Sequence, residues 1–122
     1  MRERTFLILL ALTPQARDGS GITRAVRELS GGAVSLRAAT LYGELDRLTG
    51  CELIEVDREE AWRGRMRRYY RLDYHGAIEL DRQSALRRRA AAMGGGAGAA
   101  MGGGLGAGGG SLWRILLRGL SH

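Results

Sequence analysis

Residues 4–13 read Arg-Thr-Phe-Leu-Ile-Leu-Leu-Ala-Leu-Thr, apolar on nearly every side. A helix of that composition must be covered all round. Helix 1 is therefore predicted here, stopped by Pro14, with a second subunit or a C-terminal helix covering what one small domain cannot. Gln15–Gly19 follows as a polar loop. Ile22, Ala25, Val26 and Leu29 then recur at helical spacing, with Arg24, Arg27 and Glu28 outward. This is helix 2, opened at Ser20 or Gly21 and ended by Ser30-Gly31-Gly32. Ser35 is the expected N-cap of helix 3, and Thr49-Gly50 its end. In that helix Leu41, Leu45 and Leu48 fall at i, i+4 and i+7, one narrow apolar stripe. The opposite face carries Arg37, Thr40, Tyr42, Glu44 and Arg47, with Arg47 read as a solvated helix-end charge. An apolar back and a hydrogen-bonding, cationic front have the build of a recognition helix for the major groove.

The period then changes to two. In residues 53–58, Ile54 and Val56 share one face and Glu55 and Asp57 the other. In residues 67–72, Tyr70 and Leu72 face one way, Tyr69 and Arg71 the other. Between them Glu59–Met66 reads as a long Arg-rich loop with Gly64 near its tip. Two strands with a basic tip behind a recognition-type helix make a wing. Asp73 is the expected N-cap of helix 4, its start delayed by Gly76 and its end near Ala92. Its apolar positions are sparse: Ala77, Ile78, Leu80, Ala85 and Leu86. Eleven of the 18 residues from Met93 to Gly110 are Gly, which reads as a flexible linker. Ser111–Leu120 recovers an amphipathic pattern, with Arg114 and Arg118 four apart and Trp113 among the leucines. The predicted class is α+β, mainly α: a winged helix-turn-helix with a C-terminal helix and a Gly-rich flexible tail.

Charge sharpens this picture. The chain of 122 residues has a net charge of +6, and all 19 of its basic residues are Arg. The missing lysine reads as coding bias rather than chemistry. Residues 1–57 hold seven Arg against eight acids, whereas residues 58–92 hold ten Arg against five acids. A local basic region points to an anionic partner, nucleic acid first. Cys51 is the single cysteine, in keeping with a reducing compartment. Phe6–Leu12 is too short to span a membrane. It follows Arg2 and Arg4 in the manner of a signal peptide, but no small-residue cleavage site comes after it, so a cytoplasmic location is expected. His75 has no second ligand beside it, and no metal or cofactor is expected. Trp62 and Trp113 are read as packing residues before ligand-stacking ones. No set of nucleophile, base and orienting group is found, so no enzyme is predicted.

The wording of several segments is more specific than their order. Thr5–Leu12, Gly19-Ser20-Gly21-Ile22, Ala39-Thr40-Leu41-Tyr42-Gly43-Glu44-Leu45-Asp46-Arg47-Leu48, Leu53-Ile54-Glu55, and Gly64-Arg65-Met66-Arg67-Arg68-Tyr69-Tyr70-Arg71-Leu72 together resemble the PadR family of bacterial transcriptional regulators. The resemblance covers about residues 4–90. It implies a homodimer on double-stranded DNA, usually a repressor, with a C-terminal dimerisation helix and, in some members, an aromatic or drug-like effector. A small aromatic effector is thus a further expected partner. The implied division is 1–74 for the winged DNA-binding domain, 75–92 for the dimerisation helix, 93–110 for the linker and 111–122 for the tail. Arg37, Thr40 and Tyr42 on the recognition helix, with Arg65, Arg67 and Arg68 on the wing, are the expected DNA contacts. The dimer is expected to rest on helix 1 and helix 4, through Leu80 and Leu86. Three departures stand out: Ser20 where the family often has Tyr, Glu52 where a Gly usually precedes the first strand, and a Gly-rich stretch where a dimer helix could continue. The competing reading is a protein- or membrane-surface interaction module acting through the basic tail.

Overall fold

The structure is a computed structural model that describes residues 1–94. The remainder of the expected linker and the amphipathic tail with Trp113 lie outside the described residues. The elements run α1 (Glu3–Ala11), α2 (Gly19–Leu29), α3 (Ala38–Gly50), β1 (Ile54–Trp62), β2 (Arg65–Leu72) and α4 (Tyr74–Gly94). This is the winged helix-turn-helix order: three helices, a two-stranded antiparallel ribbon, and a closing helix.

One core joins all six elements. Leu7, Ile8, Leu9 and Leu12 of the first segment meet Ile22 and Val26 of α2, Leu41, Leu45 and Leu48 of α3, and Ile54, Tyr70, Leu72 and Leu80 behind them. Most of the apolar α1 is buried within its own chain, so of the two expected covers, a second subunit or a C-terminal helix, the helix is the one seen; Phe6 and Leu10 stay partly buried. α4 supplies part of the cover. Its Arg87 donates to Glu3 at 2.7 Å and lays its guanidinium over the Phe6 ring at 3.9 Å. Leu80 is likewise core, so it cannot be the dimer contact expected of it. Leu29 lies at the end of α2 and is exposed, not inward as its spacing implied.

The helix ends show where local chemistry decides. α2 begins at Gly19, one or two residues before the expected opening at Ser20 or Gly21, because Asp18 caps it: the carboxylate accepts from the Gly21 N–H at 2.9 Å. α3 begins after Arg37, whose side chain makes no capping bond, and the expected cap Ser35 is two residues upstream. α2 and α3 close with the same C-terminal motif. Gly32 N–H reaches the Arg27 carbonyl and Gly31 N–H that of Glu28; Leu53 N–H reaches Leu48 and Glu52 N–H reaches Thr49. The left-handed position is Gly31 in the first case (φ 63°) and Glu52 in the second (φ 60°). A side chain with a Cβ resists that backbone conformation.

The wing differs from its expected form. β1 and β2 run on to Trp62 and from Arg65, so what read as a loop over Glu59–Met66 is mostly ladder. The turn is the pair Arg63-Gly64, both at positive φ as a tight type I′ hairpin requires. Glu59 stands opposite Arg68, and Glu55 opposite Arg71, and both pairs form ion pairs at 3.0 and 2.6 Å. A bulge at Asp57 breaks the register, and Val56 beside it is exposed while Ile54 is buried. The ribbon is also held from its other edge. Arg17 exchanges both backbone hydrogen bonds with Tyr70, an isolated bridge that ties the α1–α2 loop to the ribbon.

α4 follows at once, with Asp73 accepting from the His75 N–H at 3.3 Å. Gly76 does not delay it. The residue is buried against Leu53, where an added Cβ would run into the Leu53 carbonyl oxygen, so glycine serves close packing here. The helix reaches Gly94, the last described residue, two residues past the expected limit.

Glu44, expected on the outer face of α3, is buried. It accepts from Arg47 at 2.9 Å and from the Thr5 hydroxyl of α1 at 2.9 Å, and Arg4 stands 3.8 Å away. Arg47 also donates to Thr5 at 3.1 Å, so it is not merely solvated. The Arg47 hydrogen bond, then those of Thr5 and the two arginine charges, hold the Glu44 carboxyl below its ordinary range against the opposing effect of burial.

Two outcomes follow. Glu52→Gly should raise stability by about 1 kcal/mol in urea unfolding, because the left-handed strain of a non-glycine residue is relieved; a loss would mean Glu52 is held by something other than the turn. Glu44→Gln should lose about 1–3 kcal/mol at pH 7. A lowered carboxyl pKa stabilises above the unfolded value, and that stabilisation fades as pH falls through the folded one. The gap between the two proteins should therefore close in acid, below the ordinary carboxylate range. A gap independent of pH would contradict this.

Candidate nucleic-acid interface

α3 is held from behind by its three leucines and Glu44, which leaves its N-terminal half facing outward. Arg37 is exposed and has no ion-pair partner among the described residues. Thr40 is half-buried in the first turn. Tyr42 is 52% exposed, and its ring lies across Gly19 at the start of α2. A Cβ at residue 19 would stand 2.7 Å from the Tyr42 hydroxyl, so only glycine leaves the ring where it is.

A cleft of about 340 Å³ runs from this point to the wing. Asp18, Gly19 and Ser20 form its floor on the α2 side, Tyr42 its α3 wall, and Trp62, Arg65 and Arg67 its ribbon wall. The expected contact residues Tyr42, Arg65 and Arg67 are thus brought together, although they lie far apart in the sequence. Arg68 also borders the cleft, but its guanidinium is engaged with Glu59. Arg67 is engaged too: it sits 3.3 Å from Asp18 and 3.8 Å above the Trp62 ring. Arg65, and Arg63 at the hairpin tip, have no carboxylate partner among the described residues. Arg63 also lies over the Trp62 ring, at 4.5 Å.

Trp62 is therefore not a core residue of its own chain; it is a half-exposed platform for two arginines. Asp18, Gly19 and Trp62 were not expected at the site. Asp18 carries a readable signal, a carboxylate directly before a Gly-Ser-Gly-Ile helix start. The role of Gly19 depends on Tyr42 crossing it, which spacing alone does not reveal.

A larger cleft, about 1060 Å³, lies between α1, α3 and α4 and includes Thr5, Glu44, Arg47, Ile78 and Arg82 in its wall. Among the described residues no group of His, Cys, Asp and Glu side chains is arranged to hold a metal ion, and no helix is long and apolar enough to cross a membrane.

The chain was compared with known proteins. No curated protein matches it in sequence. Among solved structures it is similar to a transcriptional regulator from Clostridium thermocellum, with TM-score 0.63 and 19% identity over 73% of this chain and 86% of that one, a likeness of fold. It is similar to a PadR family transcription regulator from hypervirulent Clostridium difficile, with TM-score 0.62 and 26% identity over 71% and 88% of the two chains. It is also similar to Bacillus subtilis PadR, solved in complex with operator DNA, with TM-score 0.58 and 28% identity over 65% of this chain and 45% of that one. The family model for the transcriptional regulator PadR-like family matches residues 8–82, from the middle of α1 through the ribbon into α4. With well over half of its length matched and the winged fold in place, this chain belongs to the PadR-like family of transcriptional regulators.

Proposed function

We propose that the chain is a DNA-binding repressor acting as a homodimer, with α3 in the major groove and the β1–β2 wing on the phosphate backbone. The observation that carries this reading is the cleft shared by Tyr42 of the recognition helix and Arg65 of the wing. It places a hydroxyl and an unpaired guanidinium on one surface, as a groove edge and its flanking phosphate would need. Arg37 and Thr40 sit at the N-terminal end of the same helix, the end that reaches base edges in helix-turn-helix proteins. The similarity to a PadR solved with operator DNA supports the same partner.

Residues 1–74 form the DNA-reading unit in this reading, and α4 the dimer contact. Support for the second part is an outward stripe on α4: Tyr74, Ile78, Leu86 and Met93 are exposed at spacings that share one side of a helix. α1 contributes less to the contact, because Leu7, Ile8 and Leu9 are buried in its own chain and only Phe6 and Leu10 are partly open.

Selection of bound fragments from random duplexes, followed by titration across salt, tests the DNA reading. Arg37→Ala and Thr40→Ala should each lower preference for the selected sequence by about 1–3 kcal/mol per base contact. Equal losses on selected and random DNA would make them backbone contacts. Arg65→Ala should weaken both duplexes and flatten the salt slope by about one unit per subunit; an unchanged slope would take Arg65 off the DNA. For the dimer, Ile78→Arg with Leu86→Arg should sediment as a folded monomer with weak operator binding. A variant that stays dimeric would move the contact off α4.

A further inference from the structure

The pairing of Arg67 bears on how strongly the wing holds DNA. This inference rests on the DNA-binding reading above. Asp18 is held in three ways. One carboxylate oxygen accepts the capping bond from the Gly21 N–H at 2.9 Å, the Ser20 hydroxyl lies 3.3 Å from both oxygens, and the second oxygen faces Arg67 at 3.3 Å. The capping bond ties the carboxylate to the first turn of α2, so it cannot swing away with the wing. Arg67 is fixed from the other side by the Trp62 ring beneath its guanidinium. Its charge thus lies between a ring and a carboxylate; Asp18 is largely shielded from solvent, at 15% exposure, and Arg67 is about one third exposed, at 34%. The Arg17–Tyr70 backbone pair, next to Asp18 in sequence, holds the two segments in register.

We propose that Asp18 withholds Arg67 from DNA: the pair stays closed in the complex, and Arg67 is a positioning residue that sets the wing against α2. Asp18 then acts as a built-in substitute for one backbone phosphate and lowers affinity for any duplex, whatever its sequence. The basic count of the wing overstates the number of phosphates it neutralises. Arg65, one position on the same face away, remains to make the phosphate contact.

The test is a double-mutant cycle on the full chain, read as the slope of log affinity against log salt on a random duplex. Asp18→Asn removes the charge but keeps a side-chain oxygen for the α2 cap. Freed from its carboxylate, Arg67 should gain a phosphate, so the slope should steepen by about one unit per subunit and low-salt affinity should rise severalfold. Arg67→Gln alone should leave the slope as in the wild type, and Asp18→Asn added to Arg67→Gln should leave it there too. Asp18→Ser, another good cap, should repeat the Asn result, which separates charge from folding. A flattened slope in Arg67→Gln would make Arg67 a phosphate contact and overturn the assignment. So would an unchanged slope in both Asp18 variants. If the wild type shows no salt-dependent duplex binding, the DNA-binding reading itself has failed, which is a different result.

Discussion

Everything in this fold follows from one demand on α3: its back must be buried and its front must be left free. Leu41, Leu45 and Leu48 meet the first part by packing into the core formed by α1, α2 and the base of the ribbon. Burying a leucine is worth roughly 1.5–3 kcal/mol, so three of them at i, i+4 and i+7 anchor the helix along its length. Glu44 adds an orientation. Its bonds to Arg47 and Thr5 tie one side of α3 to α1, and a rotation of the helix would leave a buried carboxylate without partners. With the back fixed in this way, Tyr42 can lie only across Gly19, and the exposed N-terminal end with Arg37 is left outside.

The wing obeys a different rule. It buries little, so its geometry comes from the ladder, the Arg63-Gly64 turn and the edge contact of Arg17 with Tyr70. Its charges are mostly neutralised where they stand: Arg58, Arg67, Arg68 and Arg71 each have an acidic partner. Net charge along the sequence is therefore a poor count of cations available to an anionic ligand. What matters is which arginines lack a neighbour, and the two at and next to the hairpin turn, Arg63 and Arg65, are among them.

This division explains what the sequence revealed. The order of elements was legible because α1 to α3 carry apolar periodicity and the segment wording resembles a known family. The strand lengths were not, because a ribbon that projects beyond the core has no buried face, and its alternation of Glu and Arg looks like a loop. Glu44 was misplaced for a related reason. A charge on a helix reads as outward, and only the third dimension brings Thr5 of α1 within reach of it. The apolar excess of α1 was read correctly as a need for cover, but whether α4 or a second subunit supplied it lay in the packing. Of the site, the α3 residues and Arg65 were readable by type and position. The Asp18–Arg67–Trp62 arrangement was not, because Asp18 lies 44 positions before Trp62 and 49 before Arg67 and meets them only through the ribbon's return to α2.

The central claim is that the front of α3 reads the major groove. Methylation protection of guanine N7 on a selected duplex tests it most directly, since that atom lies on the major-groove edge. The account predicts protected guanines within each half-site, and protection lost from particular bases when Arg37 is replaced. Protection confined to the minor groove, or uniform binding with every N7 still reactive, would contradict it.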